Sequence, residues 1–131
     1  MTRVAACSCG QLKVTCEGEP VRVSVCHCHA CQRRTGSAFG VQARFPRAQV
    51  KIEGSSTVFS RTGDSGTTAD FHFCPTCGAA VYWDMRALPD FIAVTYGAFA
   101  GEPMPAPKIS VYEERAHPWA MPAVAEMEHH N

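Results

Sequence analysis

Apolar and polar residues alternate in short runs along most of the chain. In "LKVTC" Leu12, Val14 and Cys16 fall on one face, and in "VRVSV" Val21, Val23 and Val25 do the same. "FGVQARF" alternates Phe39, Val41, Ala43 and Phe45, and "ADFHF" sets Ala69, Phe71 and Phe73 on one side. "AAVYW", "DFIAVTY" and "KISVY" also read as strands, the second of them apolar on both faces. Period-two runs broken by Gly, Pro and Ser predict antiparallel sheets and a mainly β fold. Helical spacing is confined to one short segment, His29 to Thr35, which Gly36 is placed to stop. "GEPMPAP", Gly101 to Pro107, reads as an irregular connection. Residues 1–122 read as one domain. Residues 123–131, ending in "EMEHHN", show no core face and are expected to form a loosely held tail, with His129 and His130 as tail features rather than ligands.

Composition narrows the class. A chain of 131 residues, 46% of them hydrophobic, can bury one sizeable core. Twelve basic and twelve acidic residues cancel, which gives no electrostatic case for a nucleic-acid or anionic membrane partner. No apolar run approaches the ~18 residues that suggest a membrane span. The opening "MTRVAACSCG" has no room for a signal-peptide core. "VAAC" resembles a lipoprotein cleavage box, but that box must follow an apolar segment, and only three residues precede Val4. The expected compartment is a reducing cytoplasm. Eight cysteines then point to metal or redox chemistry rather than to disulfides.

Seven of those cysteines form three clusters: Cys7 and Cys9 in "CSCG", Cys26, Cys28 and Cys31 in "CHCHAC", Cys74 and Cys77 in "CPTCG". A Cys-x-x-Cys turn aims both sulfurs at one point, and the glycine after it can take the positive φ of a tight turn. Residues i and i+2 of an extended chain share a face, so Cys7 and Cys9 can reach one ion. Two such pairs supply four thiolates, the tetrahedral set of a structural zinc; an iron–sulfur centre fits less well. The triplet remains. Three thiolates bind zinc and leave one position free, as catalytic zinc sites do. The bland alternative is a second structural site completed by His27, His29, His72 or Cys16. His27 alternates away from Cys26 and Cys28, His29 is expected to face solvent, and His72 alternates with two phenylalanines as a surface residue. Cys16 shares its face with Leu12 and Val14 and reads as core.

"CSCGQLKV", "CHCHACQRRTGSAF", "HFCPTCGAAVYW" and the late "HPW" resemble the glutathione-dependent formaldehyde-activating enzyme family, also called the centromere protein V domain family. The resemblance runs from Cys7 to about Trp119. It implies a β-tent of antiparallel sheets, a fold shared with methionine-R-sulfoxide reductases. It implies two zinc ions per chain: a structural one on Cys7, Cys9, Cys74 and Cys77, and one with an exchangeable ligand on Cys26, Cys28 and Cys31. The implied activity is a carbon–sulfur lyase reaction that joins glutathione and formaldehyde, or splits their S-hydroxymethyl adduct.

A three-thiolate zinc carries a net charge of minus one, which makes it a weak Lewis acid but keeps a bound sulfur nucleophilic. Arg33 and Arg34 follow the triplet and can offset that charge, hold a substrate carboxylate, or simply be solvated. Phe39, Tyr82 and Trp83 are either pocket walls or core. Two rivals stand beside the enzyme. One is a non-catalytic zinc module that binds a thiol or a protein. The other is a sulfoxide reductase of the same fold, which needs a metal-free reactive cysteine in an Arg-x-Cys-x-Asn setting that the chain lacks.

Overall fold

In the computed structural model, which describes residues 1–131, the alternating runs form eleven strands in two sheets. Strands β1 (Thr2–Ala6), β2 (Lys13–Glu17) and β5 (Val50–Glu53) make a small sheet in the order β1-β2-β5. The large sheet holds β3 (Arg22–Cys26), β4 (Gly40–Pro46), β6 (Thr57–Thr62), β7 (Thr68–Phe73), β8 (Ala80–Met85), β9 (Phe91–Thr95), β10 (Ile109–Val111) and β11 (Glu128–His129). Its spatial order is β11-β10-β3-β4-β9-β8-β7-β6. Pairing is antiparallel throughout, except that β10 runs parallel to both β3 and β11. The fold is therefore mainly β with antiparallel sheets, as the periodicity requires.

The core draws on both sheets. Leu12, Val14 and Cys16, the face read from "LKVTC", are fully buried. They belong to one cluster with Ala43 and Phe45 of β4, Val81 and Tyr82 of β8, Ile92 and Val94 of β9, and Phe99. In β9, Ile92, Ala93 and Val94 are all buried, which fits a strand apolar on both faces in the middle of a sheet. Val21 departs from its expected face: it precedes β3 and is 56% exposed, while Ser24 inside β3 is buried. Strands β1 and β6 carry no clean apolar alternation, and β5 alternates over only four residues; all three take their hydrogen-bond partners from neighbouring strands. A buried Arg3 closes the seam by donating to Pro103 O at 2.8 Å and Gly18 O at 2.9 Å, and by pairing with Glu19.

The single helix α1 spans His29–Thr35, and Gly36 ends it in the left-handed region at φ 65°. Its N-cap is Cys28, whose sulfur accepts from Cys31 N at 3.3 Å. The C-terminal segment, expected to hang loosely, is seated instead. Glu128 N donates to Lys108 O and His130 N to Ser110 O, and Met127 is buried. Backbone pairing at a sheet edge needs no apolar pattern, so nothing in the residue order marks it.

Candidate metal centres

Each end of the first cysteine set sits in a tight turn. After β1 the chain reverses at Cys7–Gly10, where Gly10 N donates to Cys7 O and Gly10 takes φ 84°. The pair is thus held by a turn and not by the extended backbone the i, i+2 spacing suggested. After β7, Gly78 at φ 79° closes the turn of "CPTCG" by donating to Cys74 O at 2.8 Å. The two turns meet: the Sγ atoms of Cys7, Cys9, Cys74 and Cys77 all lie within 4.8 Å of one another. Cys7–Cys9 and Cys9–Cys74 sulfurs are each 3.6 Å apart, far from a bonded pair and near the ~3.8 Å edge of a tetrahedron of Zn–S bonds. All eight cysteines are free thiols. Four sulfurs so arranged can hold a metal ion, and zinc fits the donor set.

Surrounding donors prepare that set for negative charge. Cys7 Sγ accepts from Leu12 N at 3.3 Å. Cys74 Sγ accepts from Thr76 N at 3.3 Å, Cys77 N at 3.4 Å and Gln11 Nε2 at 3.0 Å. Burial pushes the Cys74 thiol up, but these N–H donors prevail and bring it down to about 5. Gln11 escapes a motif search because it is neither charged nor a ligand. It also donates to Ser55 O and accepts from Ser55 N, so it ties the cage to the loop between β5 and β6. That loop approaches so closely that a Cβ on Gly54 would lie 2.0 Å from Gln11 O.

The triplet forms a second, separate group. Cys26 ends β3, Cys28 caps α1 and Cys31 lies in its first turn, and their sulfurs are mutually within 4.8 Å. Hydrogen bonds from Cys26 and Cys31 bring the Cys28 thiol down to about 2, while the same cluster pushes Cys26 up. Three sulfurs fit zinc with one position left over.

None of the alternatives for a fourth ligand joins the three sulfurs. His27 is fully buried on the far side, its Nε2 3.2 Å from Ser110 Oγ and its ring against Phe39. His29 is exposed. His72 bonds Ser56 Oγ at 2.8 Å and Asp84 Oδ2 at 3.2 Å and stacks on Tyr82. Cys16 is core, and burial raises its thiol to about 12. His117 of "HPW" also stays off the sulfurs: it meets Gln32 Oε1 at 3.1 Å, and Gln32 Nε2 reaches His27 O and Arg115 O. This pins α1 to the chain beyond β10.

Cys28 and Cys31 face a cavity of about 770 Å³. Arg33, Arg34, Arg61 and Arg115 line it against a single acid, Asp64, which pairs with Arg115 at 2.7 Å. Phe59, Phe71 and Phe73 supply apolar wall. Gly78 lines it too, so the "CPTCG" turn of the first centre walls the chamber of the second. Of these, only Arg33 and Arg34 were visible beside a motif. Arg61, Asp64 and Arg115 are isolated charges in the sequence, and the face that Phe71 and Phe73 share in "ADFHF" turns to this cavity. Tyr82 and Trp83 are buried, whereas Phe39 lines a smaller adjoining cavity.

No helix is long and apolar enough to cross a membrane. No curated protein matches the chain. A Rhodobacter sphaeroides protein of known crystal structure shares the fold, with a TM-score of 0.56 over 76% of this chain and 90% of that one, at 20% identity. The sequence profile of the "Glutathione-dependent formaldehyde-activating enzyme" family matches residues 2–115, a span that holds both cysteine groups, and the chain belongs to that family.

Proposed function

We propose that this protein is a cytoplasmic carbon–sulfur lyase. It joins a carboxylate-bearing thiol, glutathione or a relative of it, to formaldehyde or another small aldehyde, and it splits the resulting S-hydroxymethyl adduct. The observation that carries this reading is the position of the triplet at the wall of a 770 Å³ cavity lined by four arginines. On this reading Cys26, Cys28 and Cys31 hold the working zinc, and Cys7, Cys9, Cys74 and Cys77 hold a structural one. Zinc bound by three thiolates leaves one tetrahedral position free and keeps a thiol that enters it ionised at neutral pH.

The chain's own residues do the rest. Arg33, Arg61 and Arg115 present forked donors to the carboxylates of the thiol. Phe59, Phe71 and Phe73 present apolar surface that limits water near the reacting carbon. In the forward direction the sulfur forms a bond to the carbonyl carbon, the carbon–oxygen π bond opens, and the oxygen takes a proton to become a hydroxyl. The reverse expels the thiolate.

Thiol and aldehyde also combine uncatalysed, so the test is the rate of adduct formation over a protein-free control, with wild type and Cys31→Ser compared. Acceleration by wild type, lost in a folded Cys31→Ser protein that holds one zinc fewer, is expected. Thiol binding with no acceleration would sink the enzyme reading and leave a non-catalytic thiol-binding module.

A further inference from the structure

Arg34 differs from the other arginines of the cavity. Its guanidinium carbon lies 4.5 Å from the ring centroid of Trp83 and 5.7 Å from that of Phe71. Its Nη2 is buried with no hydrogen-bond partner. Arg115, Arg47 and Arg86 each pair with an aspartate, namely Asp64, Asp84 and Asp70, and Arg3 pairs with Glu19; Arg34 has no carboxylate. A guanidinium does not give up its proton, so a half-buried charge lies on aromatic faces with one edge, Nη2, shut off from water and no anion paired to it. That arrangement is destabilising unless something negative stands nearby.

The neighbour is Cys31. A Cβ on Gly40 of β4 would meet Arg34 Nη2 at 3.0 Å and Cys31 Cβ at 3.3 Å. The guanidinium and the Cys31 side chain therefore close on the same bare stretch of backbone, and glycine is what lets both approach. Arg33, one residue earlier, is exposed and has no such seat.

We infer that Arg34 is the counter-charge of the three-cysteine centre, seated on Trp83 and Phe71 to balance a metal complex that is negative before the thiol arrives and more so after. It is a positioning residue: it acts on the centre from its seat beside Gly40 at the cavity wall, while Arg33, Arg61 and Arg115 are left to meet the substrate. The inference rests on the reading of the triplet as a zinc centre, and zinc content separates the two. A wild-type protein that holds only one zinc when loaded would remove the reading itself, whatever Arg34 does.

With two zinc ions confirmed, the test compares Arg34→Met, Arg34→Lys and Arg33→Met. Release of the triplet's zinc to a chromogenic chelator should be about 10- to 100-fold faster in Arg34→Met, the range typical of outer-shell partners. Arg33→Met should release that zinc at the wild-type rate, whatever it does to thiol binding. Thermal melting should reverse sign with the metal. In the two-zinc protein Arg34→Met should lower Tm. In a Cys31→Ser background, where the negative centre is gone, the same change should leave Tm equal or higher, because it removes an unpaired half-buried charge. Arg34→Lys keeps the charge and should release zinc at close to the wild-type rate; this variant decides the matter if Arg34→Met does not fold. Equal loss of Tm in both backgrounds, unchanged zinc release in Arg34→Met, or fast release in Arg34→Lys would each show that Arg34 only packs, and would overturn the inference.

Discussion

Gln11 shows how much a single uncharged side chain can organise. Its amide donates to Cys74 Sγ and Ser55 O and accepts from Ser55 N, so one residue serves the metal cage and the loop beyond β5 together. Hydrogen bonds to a thiolate help hold the ionised form that a metal requires. Gln11→Ala removes all three bonds and leaves Ser55 N to find water. We expect a loss of about 1–2 kcal/mol in urea unfolding of the zinc-loaded protein. Release of the cage zinc should also be about tenfold faster. Unchanged unfolding with unchanged zinc release would show that the amide is an incidental neighbour. The residue follows Gly10 in "CSCGQ", and nothing in its own chemistry marks it; only the return of the chain at Ser55 and Cys74 gives it partners.

Among the elements, β10 holds more than its three residues suggest. It runs parallel to β3, and its Ser110 meets His27 Nε2 directly beside the triplet. β11 covers its other edge through Ile109–Glu128 and Ser110–His129 pairs, and His129 Nδ1 bonds Glu113 Oε2 at 2.7 Å. Removing residues 126–131 takes away these bonds and the buried Met127. The expected result is a folded protein whose Tm falls by several degrees, corresponding to about 1–2 kcal/mol, with both zinc ions retained. Calorimetry and zinc content on the truncated chain check this. An unchanged Tm would mean that the last strand contributes nothing to stability.

At the scale of the molecule, the two cysteine groups differ in what they connect. The first joins the end of β1 in the small sheet to the turn after β7 in the large one, with Cys9 and Cys74 65 residues apart. The second is confined to Cys26–Cys31. A structural zinc contributes on the order of 10 kcal/mol, comparable with the whole stability of a domain. Chelation should therefore proceed in two stages. The triplet, with three protein anchors, should release its zinc first with no change in circular dichroism. Loss of the second zinc should coincide with unfolding. Cys74→Ser should likewise yield unfolded or aggregating protein, where Cys31→Ser stays folded. Simultaneous release of both ions with collapse, or equal collapse of both variants, would overturn this division of labour.

Period-two alternation determined β2 and β4 and their buried faces, because a strand's side-chain period is fixed by its backbone, and a short run apolar on both faces determined β9 as a strand inside a sheet. His29–Thr35 and the left-handed Gly36 were equally local, since helix termination depends on one residue's freedom in φ. Cysteine spacing determined the grouping of four sulfurs and three, for a knuckle aims its own ligands. The alternation of "ADFHF" places Phe71 and Phe73 on one face of β7 but does not say what that face meets. Phe71 and Phe73 do share a face, but no side chain of β6 or β7 joins the core cluster, and that face looks into the cavity instead. Alternation says that a strand has two sides; which side finds the core depends on what the rest of the chain lays over it. The same holds for the arginines. Arg33 and Arg34 are neighbours in sequence with one charge each, and only the packing of α1 on Gly40, Trp83 and Phe71 half-buries one and leaves the other in water. Burial is a property of distant contacts, and it is burial that turns a common charge into a committed one.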